Sequence, residues 1–246
     1  MENLKPDLFQ SGRHETHTDG ACGATNNGEE PWDKISSVGE AGNRVVYVVD
    51  DHSDVRKAIH LSLAAVGIMA WSFATAQDFL EQSGDLAPAP VLLDLRMPKI
   101  DGLETLAILR SKGIHWPVIM MSAHGEISMA VRSMQLGALD FLEKPFCFDD
   151  LADGLKRGFG MLEQAFKADL LRRRAQQRLA TLTPRETEVL HQLVTGLSNR
   201  AVGGRLGLSE RTVETHRSNL LAKLGSKSLT KAVLLLGEAK GGPDFA

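Results

Sequence analysis

Five polar residues stand where short apolar runs of the chain come to an end. Asp50 and Asp51 follow the run VVYVV, Asp94 follows VLL, Ser122 follows VIMM, and Lys144 follows LDFLE. Taken singly, each has an ordinary explanation. An Asp pair after a strand often builds a turn or a helix cap, and a lone Ser or Lys is usually a surface residue. Taken together, they form a chemical set. Three converging carboxylates repel one another and need a compensating cation. Hard oxygen donors suit Mg²⁺, which keeps several waters and pairs readily with phosphate oxygens. Lys144 adds a point charge and Ser122 a hydroxyl donor, so the set is equipped to hold the oxygens of a phosphoryl group. One aspartate is then the candidate nucleophile that receives it.

Convergence requires a particular architecture. The run Val45–Val49 is too short and too β-branched for a helix. Further strands are expected to begin near Ile68, Val91, Val118 and Leu139, with helical patterns over 55–66, 76–82, 103–112 and 126–136, and another from Asp149. Alternation of wholly apolar strands with helices implies an α/β fold, a parallel sheet covered on both faces. Right-handed crossovers make it a five-stranded doubly wound sheet. For strand order 2-1-3-4-5 the switch point lies between strands 1 and 3, where the three aspartates gather and where ligands bind in such sheets.

The back of the chain has a different pattern, that of a small all-α domain of four helices. Thr183, Pro184 and Glu186 spell a capping box with Pro at the first helical position. Short helices follow from Ser198 and Ser209, joined by Gly207-Leu208-Ser209 in the outline of a helix-turn-helix. Residues 229–236 form the last. On the third helix Val213, Leu220 and Leu224 are expected in the core. Arg211, Glu214, Thr215 and Ser218 share the opposite face and are placed to enter a DNA major groove. Glu214 also reads as an intrahelical partner of Arg211, Arg217 or Ser218. Thr212, His216, Arg217, Asn219 and Lys223 are better placed for phosphates.

Composition sets the bounds. The 246 residues carry a net charge of −3, which argues against nucleic acid until it is resolved by segment. Residues 1–43 carry −5 and 44–155 carry −6, whereas 156–180 carry +5 and 181–246 carry +3. The acidic excess sits in front and the basic excess behind. Residues 1–43 lack periodicity and read as a disordered extension with no specific role; Trp32 and Ile35 are apolar residues within it, and nothing in the sequence makes the case for a docking element there. Residues 44–158 form the first domain, 159–180 a helical linker and 181–246 the second domain. Gly154, Gly158 and Gly160 weaken the helix that enters the linker, so a bend is expected there. Arg172, Arg173, Arg174 and Arg178 read as its solvated face. Two cysteines, Cys22 and Cys147, are too few for a disulfide framework. The apolar runs are too short to span a membrane and the N-terminus lacks a signal-peptide core, so a cytoplasmic setting is expected.

These motifs resemble known families. Val-Val-Asp-Asp (48–51), Leu-Asp-Leu-Arg-Met-Pro (93–98) with Asp101-Gly102, Met-Ser-Ala-His-Gly (121–125) and Gly-Ala-Leu-Asp-Phe-Leu-Glu-Lys-Pro-Phe (137–146) resemble the receiver domain of two-component response regulators. Leu-Thr-Pro-Arg-Glu (182–186), Gly-Leu-Ser-Asn-Arg (196–200), the stretch 206–219 and Lys-Leu-Gly (223–225) resemble the LuxR-type DNA-binding domain. The whole chain is thus similar to the NarL/FixJ family, nearest its FixJ branch.

The resemblance implies that Asp94 accepts a phosphoryl group from a sensor histidine kinase. Asp51 and Asp94 would ligate Mg²⁺, with Asp50 acting through water and the Arg96 carbonyl completing the set. Lys144 would bind the phosphoryl group, across a cis bond to Pro145. Ser122 and Phe141 would be the switch pair, and phosphorylation would favour a homodimer that binds promoter DNA and acts on RNA polymerase. Arg96 and His124 flank the path of an attacking water and are expected to set the lifetime of the acyl phosphate. An alternative is an aspartyl-phosphate phosphohydrolase or phosphotransferase using Asp94 as nucleophile. Such enzymes carry an acid two residues on, where this chain has Arg96. A flavin-binding sheet is disfavoured by the acidic loop after strand 1. One departure from the LuxR-type pattern stands out: Ala201 replaces the usual acidic residue, and Gly203-Gly204 the usual Ala-Ala. The expectation is a marginally stable output domain, firmed by dimerisation or DNA, whose melting temperature alanine at both glycine positions would change.

Overall fold

The computed structural model describes residues 44–123, 127–226 and 228–240. Trp32, Ile35 and the rest of 1–43 lie outside the described residues, as does His124. The apolar runs form strands β1 (Val45–Val49), β2 (Met69–Phe73), β3 (Val91–Asp94), β4 (Val118–Ser122) and β5 (Asp140–Glu143). All pair in parallel in the order β2-β1-β3-β4-β5, as the alternation predicts. Between them run helices α1 (Ser53–Ala64), α2 (Ala76–Gln82), α3 (Gly102–Ser111) and α4 (Ile127–Gln135).

The period of two along each strand divides its residues between two cores. Val46, Val48, Leu92, Ile119 and Met121 pack with Ile59 and Leu63 of α1. Tyr47, Val49, Leu93 and Met120 pack with Phe79 of α2 and Leu106 and Leu109 of α3. Strands β1, β3 and β4 are covered on both faces and so carry no polar alternation.

Helix α5 (Phe148–Leu179) enters the first core through Leu151 and Leu155 and continues, as one helix, into the second domain. The helix runs unbroken through its glycines. Gly154 and Gly158 mark close approach: a β-carbon on Gly154 would stand 3.0 Å from Ile119 Cδ1, and one on Gly158 3.3 Å from Pro117 Cβ. Their missing side chains let the helix lie close against the sheet.

The second domain comprises α6 (Pro184–Val194), α7 (Asn199–Leu206), α8 (Glu210–Lys223) and α9 (Leu229–Lys240). Val189, Leu190, Leu193, Val202, Val213, Leu220, Leu224 and Ala232 form its core. Helix α9 extends beyond the expected residue 236 and packs along the last turns of α5, where Gln176 Nε2 donates to the Ala239 carbonyl (3.1 Å).

Thr183 and Glu186 form the reciprocal capping box that the sequence spells. Glu186, itself buried, also accepts from Lys223 Nζ at 2.7 Å, which ties the start of α6 to the end of α8. The Lys223 hydrogen bond, then the Thr183 backbone N–H, hold the Glu186 carboxyl below its ordinary range. A depressed folded-state pKa adds stability above the unfolded-state value and loses it as pH falls through the folded-state value. Glu186→Gln is therefore expected to lower the melting temperature of this domain at neutral pH, at a cost of about 1 kcal/mol on the scale of helix caps. The gap from the parent should close on acidification below the ordinary Glu range. Melting curves of both proteins across pH test this, and a gap that widens in acid would refute it.

Candidate functional site

Strand register builds the acidic site. Val48 of β1 stands opposite Leu92 of β3, so two residues further on Asp50 comes beside Asp94 on the same face of the sheet. Asp94 pairs with Met121 and Ser122 with Glu143, which sets Ser122 and Lys144 one residue past their neighbours' ends. The Lys144 N–H donates to the Ser122 carbonyl (2.6 Å) and fixes that step. Lys144 Nζ then lies 2.6 Å from both Asp50 Oδ2 and Asp94 Oδ1. Asp50, Asp94 and Ser122 are buried, and the Lys144–Pro145 peptide is cis.

The electrostatics follow from this crowding. Burial pushes the Asp94 carboxyl up, and the nearby Asp50 and Asp51 charges add to that, against the opposing pull of Lys144. Burial alone would lower the Lys144 ammonium, but its hydrogen bonds to Asp50 and Asp94 outweigh it and raise it. Three carboxylates face one ammonium, and the charge does not balance.

The donors suit a hard divalent cation. All are oxygens, and Asp51 Oδ1 is buried without a hydrogen-bond partner; His52 Nδ1 lies 2.8 Å from it but is not aligned to donate. Asp50, Asp51 and His52 bring ligand atoms within 4.8 Å of one another. Mg²⁺ prefers the carboxylates to the imidazole.

Three contributors were not apparent in the sequence. The His52 backbone N–H donates to Asp50 Oδ1 (2.8 Å), and Arg56 donates to the Asp50 carbonyl (2.6 Å), so the loop after β1 is held from α1. Gly102 opens α3 directly behind Asp94. A β-carbon there would collide with the Asp94 carbonyl and stand 2.9 Å from Leu95 Cα. Arg96 is exposed in the loop after β3, and Phe141 is half-buried on β5, packed against the α3 side of the sheet.

The second candidate surface is α8. Val213, Leu220 and Leu224 are buried, and Arg211, Glu214, Thr215, Ser218 and Asn219 are exposed, as the helical period predicts. Glu214 forms no ion pair among the described residues. Thr212 and His216 are half-buried. Two expected phosphate contacts are engaged inside the domain: Arg217 Nη1 donates to Asn199 Oδ1 (3.2 Å), and Lys223 serves Glu186. The turn before α8 is closed by Gly207 at φ 66°, a left-handed conformation that suits glycine.

Comparison with known proteins agrees with this geometry. Residues 46–156 match the response regulator receiver domain, and residues 180–236 match the bacterial regulatory proteins of the luxR family. The chain is 35% identical over 190 residues to the transcriptional regulatory protein FixJ of Bradyrhizobium diazoefficiens, covering 77% of this chain and 93% of that one. FixJ of Rhizobium meliloti is 37% identical over 199 residues, covering 80% and 97%. The chain belongs to the NarL/FixJ family of response regulators. The solved structure of the response regulator StyR is 34% identical and superposes with a TM-score of 0.70 over 80% of this chain and all of that one. A full-length FixJ from B. japonicum gives 0.51 over 80% and 97%. This response regulator is a DNA-binding transcriptional regulator of a two-component system, whose family pairs with histidine kinases and DNA; the phosphohydrolase alternative is not favoured. Among the described residues no helix is long and apolar enough to cross a membrane.

Proposed function

We propose that Asp94 is the phosphoacceptor and that its phosphorylation by a histidine kinase switches promoter binding in the cytoplasm. The observation that carries this reading is the bridge of Lys144 Nζ to Asp50 and Asp94 at 2.6 Å, at the switch point of the sheet. Asp94 attacks phosphorus through a carboxylate oxygen, and the donor leaves with its bonding electron pair. Lys144 is placed to exchange its Asp94 contact for a phosphoryl oxygen, and Ser122 to donate to another. Asp50, Asp51, Asp94 and the Arg96 carbonyl would hold Mg²⁺, which when bound neutralises the charge gathering on the phosphoryl oxygens. The receiver thus assists its own phosphorylation, and Arg96 at the open side governs access of water to the acyl phosphate.

The added charge of about −1.5 to −2 draws Ser122 inward, and Phe141 fills the space left behind. A population shift of this kind needs a surface that reads it. Helix α4 offers one: Ile127 (82% exposed), Val131 and Met134 make an apolar stripe at spacings of 4 and 3. A second copy covering that stripe gives a homodimer, which presents two α8 helices to promoter DNA and from there acts on RNA polymerase. The test is phosphorylation with a small phosphodonor and Mg²⁺, followed by sedimentation and by binding to DNA selected from random sequences. Tighter DNA binding with dimer formation is expected; binding indifferent to phosphorylation would sink the reading.

On α8, Arg211, Glu214, Thr215 and Ser218 read bases, and Thr212, His216 and Asn219 meet phosphates, with Arg217 and Lys223 contributing from inside the domain. Glu214→Ala is expected to relax preference at one base position, worth about 1–3 kcal/mol. Asn219→Ala should weaken all sequences evenly. Competition binding over a set of single-base operator variants separates the two, and an even loss with Glu214→Ala would remove that residue from the base contacts.

A further inference from the structure

We propose that the N-terminal segment carrying Trp32 and Ile35 docks on the exposed face of α5 between the two domains. Leu162, Phe166 and Leu170 continue the helical face that Leu151 and Leu155 bury against the sheet. Beyond the sheet that face opens to water: Leu162 is half-buried, but Phe166 is 71% exposed and Leu170 38%. Leu179, which packs on the helical core, lies on roughly the opposite side of the helix. Exposed apolar side chains grouped on one helical face mark an interaction surface.

The chain itself supplies the occupant. Arg44, the first described residue, stacks over the Phe159 ring with its guanidinium carbon 5.2 Å from the centroid. Arg44 therefore tethers the chain before it beside the top of the exposed stripe. From Phe159 to Leu170 the helix rises about 16 Å. The nine residues from Ile35 to Arg44 span up to about 30 Å when extended, so Trp32 and Ile35 reach all of it. Charge points the same way: residues 1–43 carry −5 against +5 for 156–180. Arg172 and Arg173 are paired with Asp169, but Arg174 and Arg178, on the flank of the stripe, form no ion pair among the described residues. A tether of nine residues gives an effective concentration on the order of millimolar, so even a weak contact is occupied. The receiver match begins only at residue 46, so this contact is an addition to the family's common machinery. It would shield the connector through which the receiver and the DNA-binding domain are joined.

The test uses the full-length chain with Cys22→Ser and Cys147→Ser, and a nitroxide on Ser37→Cys. Broadening of the amide resonances of residues 160–172 is expected, with its loss on Trp32→Ser and Ile35→Ser together. A mixture of isotope-labelled chains without nitroxide and nitroxide-bearing chains without isotope should show no broadening. Absence of broadening in the first sample, or its persistence after the double substitution, would overturn the proposal. Broadening in the mixture would assign the face to a second copy and overturn it equally.

Discussion

Asp94→Asn is expected to give a folded protein that takes no label from a small phosphodonor. The loss should be complete, since the amide offers no nucleophilic carboxylate oxygen and the other aspartates differ in position. Asp50 is enclosed and accepts from Lys144 and the His52 N–H, while Asp51 stands two residues past the end of β1. Folding should survive because Lys144 keeps Asp50 as its partner. Removing a carboxylate that burial and its neighbours have pushed up also relieves repulsion. Lys144→Gln makes the contrast. It strands Asp50 and Asp94 as buried carboxylates without their cation, and breaking a buried pair in this way costs about 3–5 kcal/mol. Thermal unfolding in the absence of divalent metal should place Asp94→Asn at or above the parent and Lys144→Gln well below it. Label retained by Asp94→Asn would move the phosphoacceptor elsewhere. An Asp94→Asn protein as unstable as Lys144→Gln would show that the site is held together differently.

The parts of this site that were legible in the sequence are those that periodicity fixes. Asp50, Asp94, Ser122 and Lys144 mark strand ends, and a parallel sheet in one order brings strand ends together. The faces of α8 follow from the helical period, so its exposed and buried residues were also readable. What escaped is contact between residues far apart in the chain whose types carry no pattern. Arg56 reads as an ordinary surface residue of α1, yet it holds the Asp50 carbonyl. Lys223 reads as a DNA contact by its position, yet a carboxylate 37 residues earlier claims it. Glycine is the hardest residue to read, because flexibility and close approach look identical in sequence. Gly154 and Gly158 suggest a bend in α5, and the structure adds that Ile119 fills the space beside the first and Pro90 and Pro117 the space beside the second. Gly102 belonged to a motif, but its reason lies in the Asp94 carbonyl immediately behind it.

The same ambiguity governs Gly203 and Gly204, and here the two positions are expected to respond with opposite signs. Both are interior to α7, where glycine costs about 0.8–1 kcal/mol relative to alanine. Helix propensity alone therefore favours alanine at both. At Gly204 nothing lies within 4 Å of the position a β-carbon would take, so Gly204→Ala should return that full amount. At Gly203 the β-carbon would stand 2.6 Å from the Leu208 carbonyl oxygen. That oxygen belongs to the turn between α7 and α8, and the Leu208 N–H already donates to the Gly203 carbonyl at 2.9 Å. The turn cannot yield without moving the start of α8, and overpacking of this kind costs about 1–3 kcal/mol. Gly203→Ala should therefore lower the unfolding temperature of the DNA-binding domain, and Gly204→Ala should raise it by about 4–8 °C for a domain of this size. Displacement of α8 should also weaken DNA binding by Gly203→Ala at temperatures where the domain remains folded, whereas Gly204→Ala should bind as the parent does. Calorimetry and DNA titration of the two single variants decide the matter. Equal stabilisation by both would mean that the close approach of α7 to the turn is not what holds glycine at position 203.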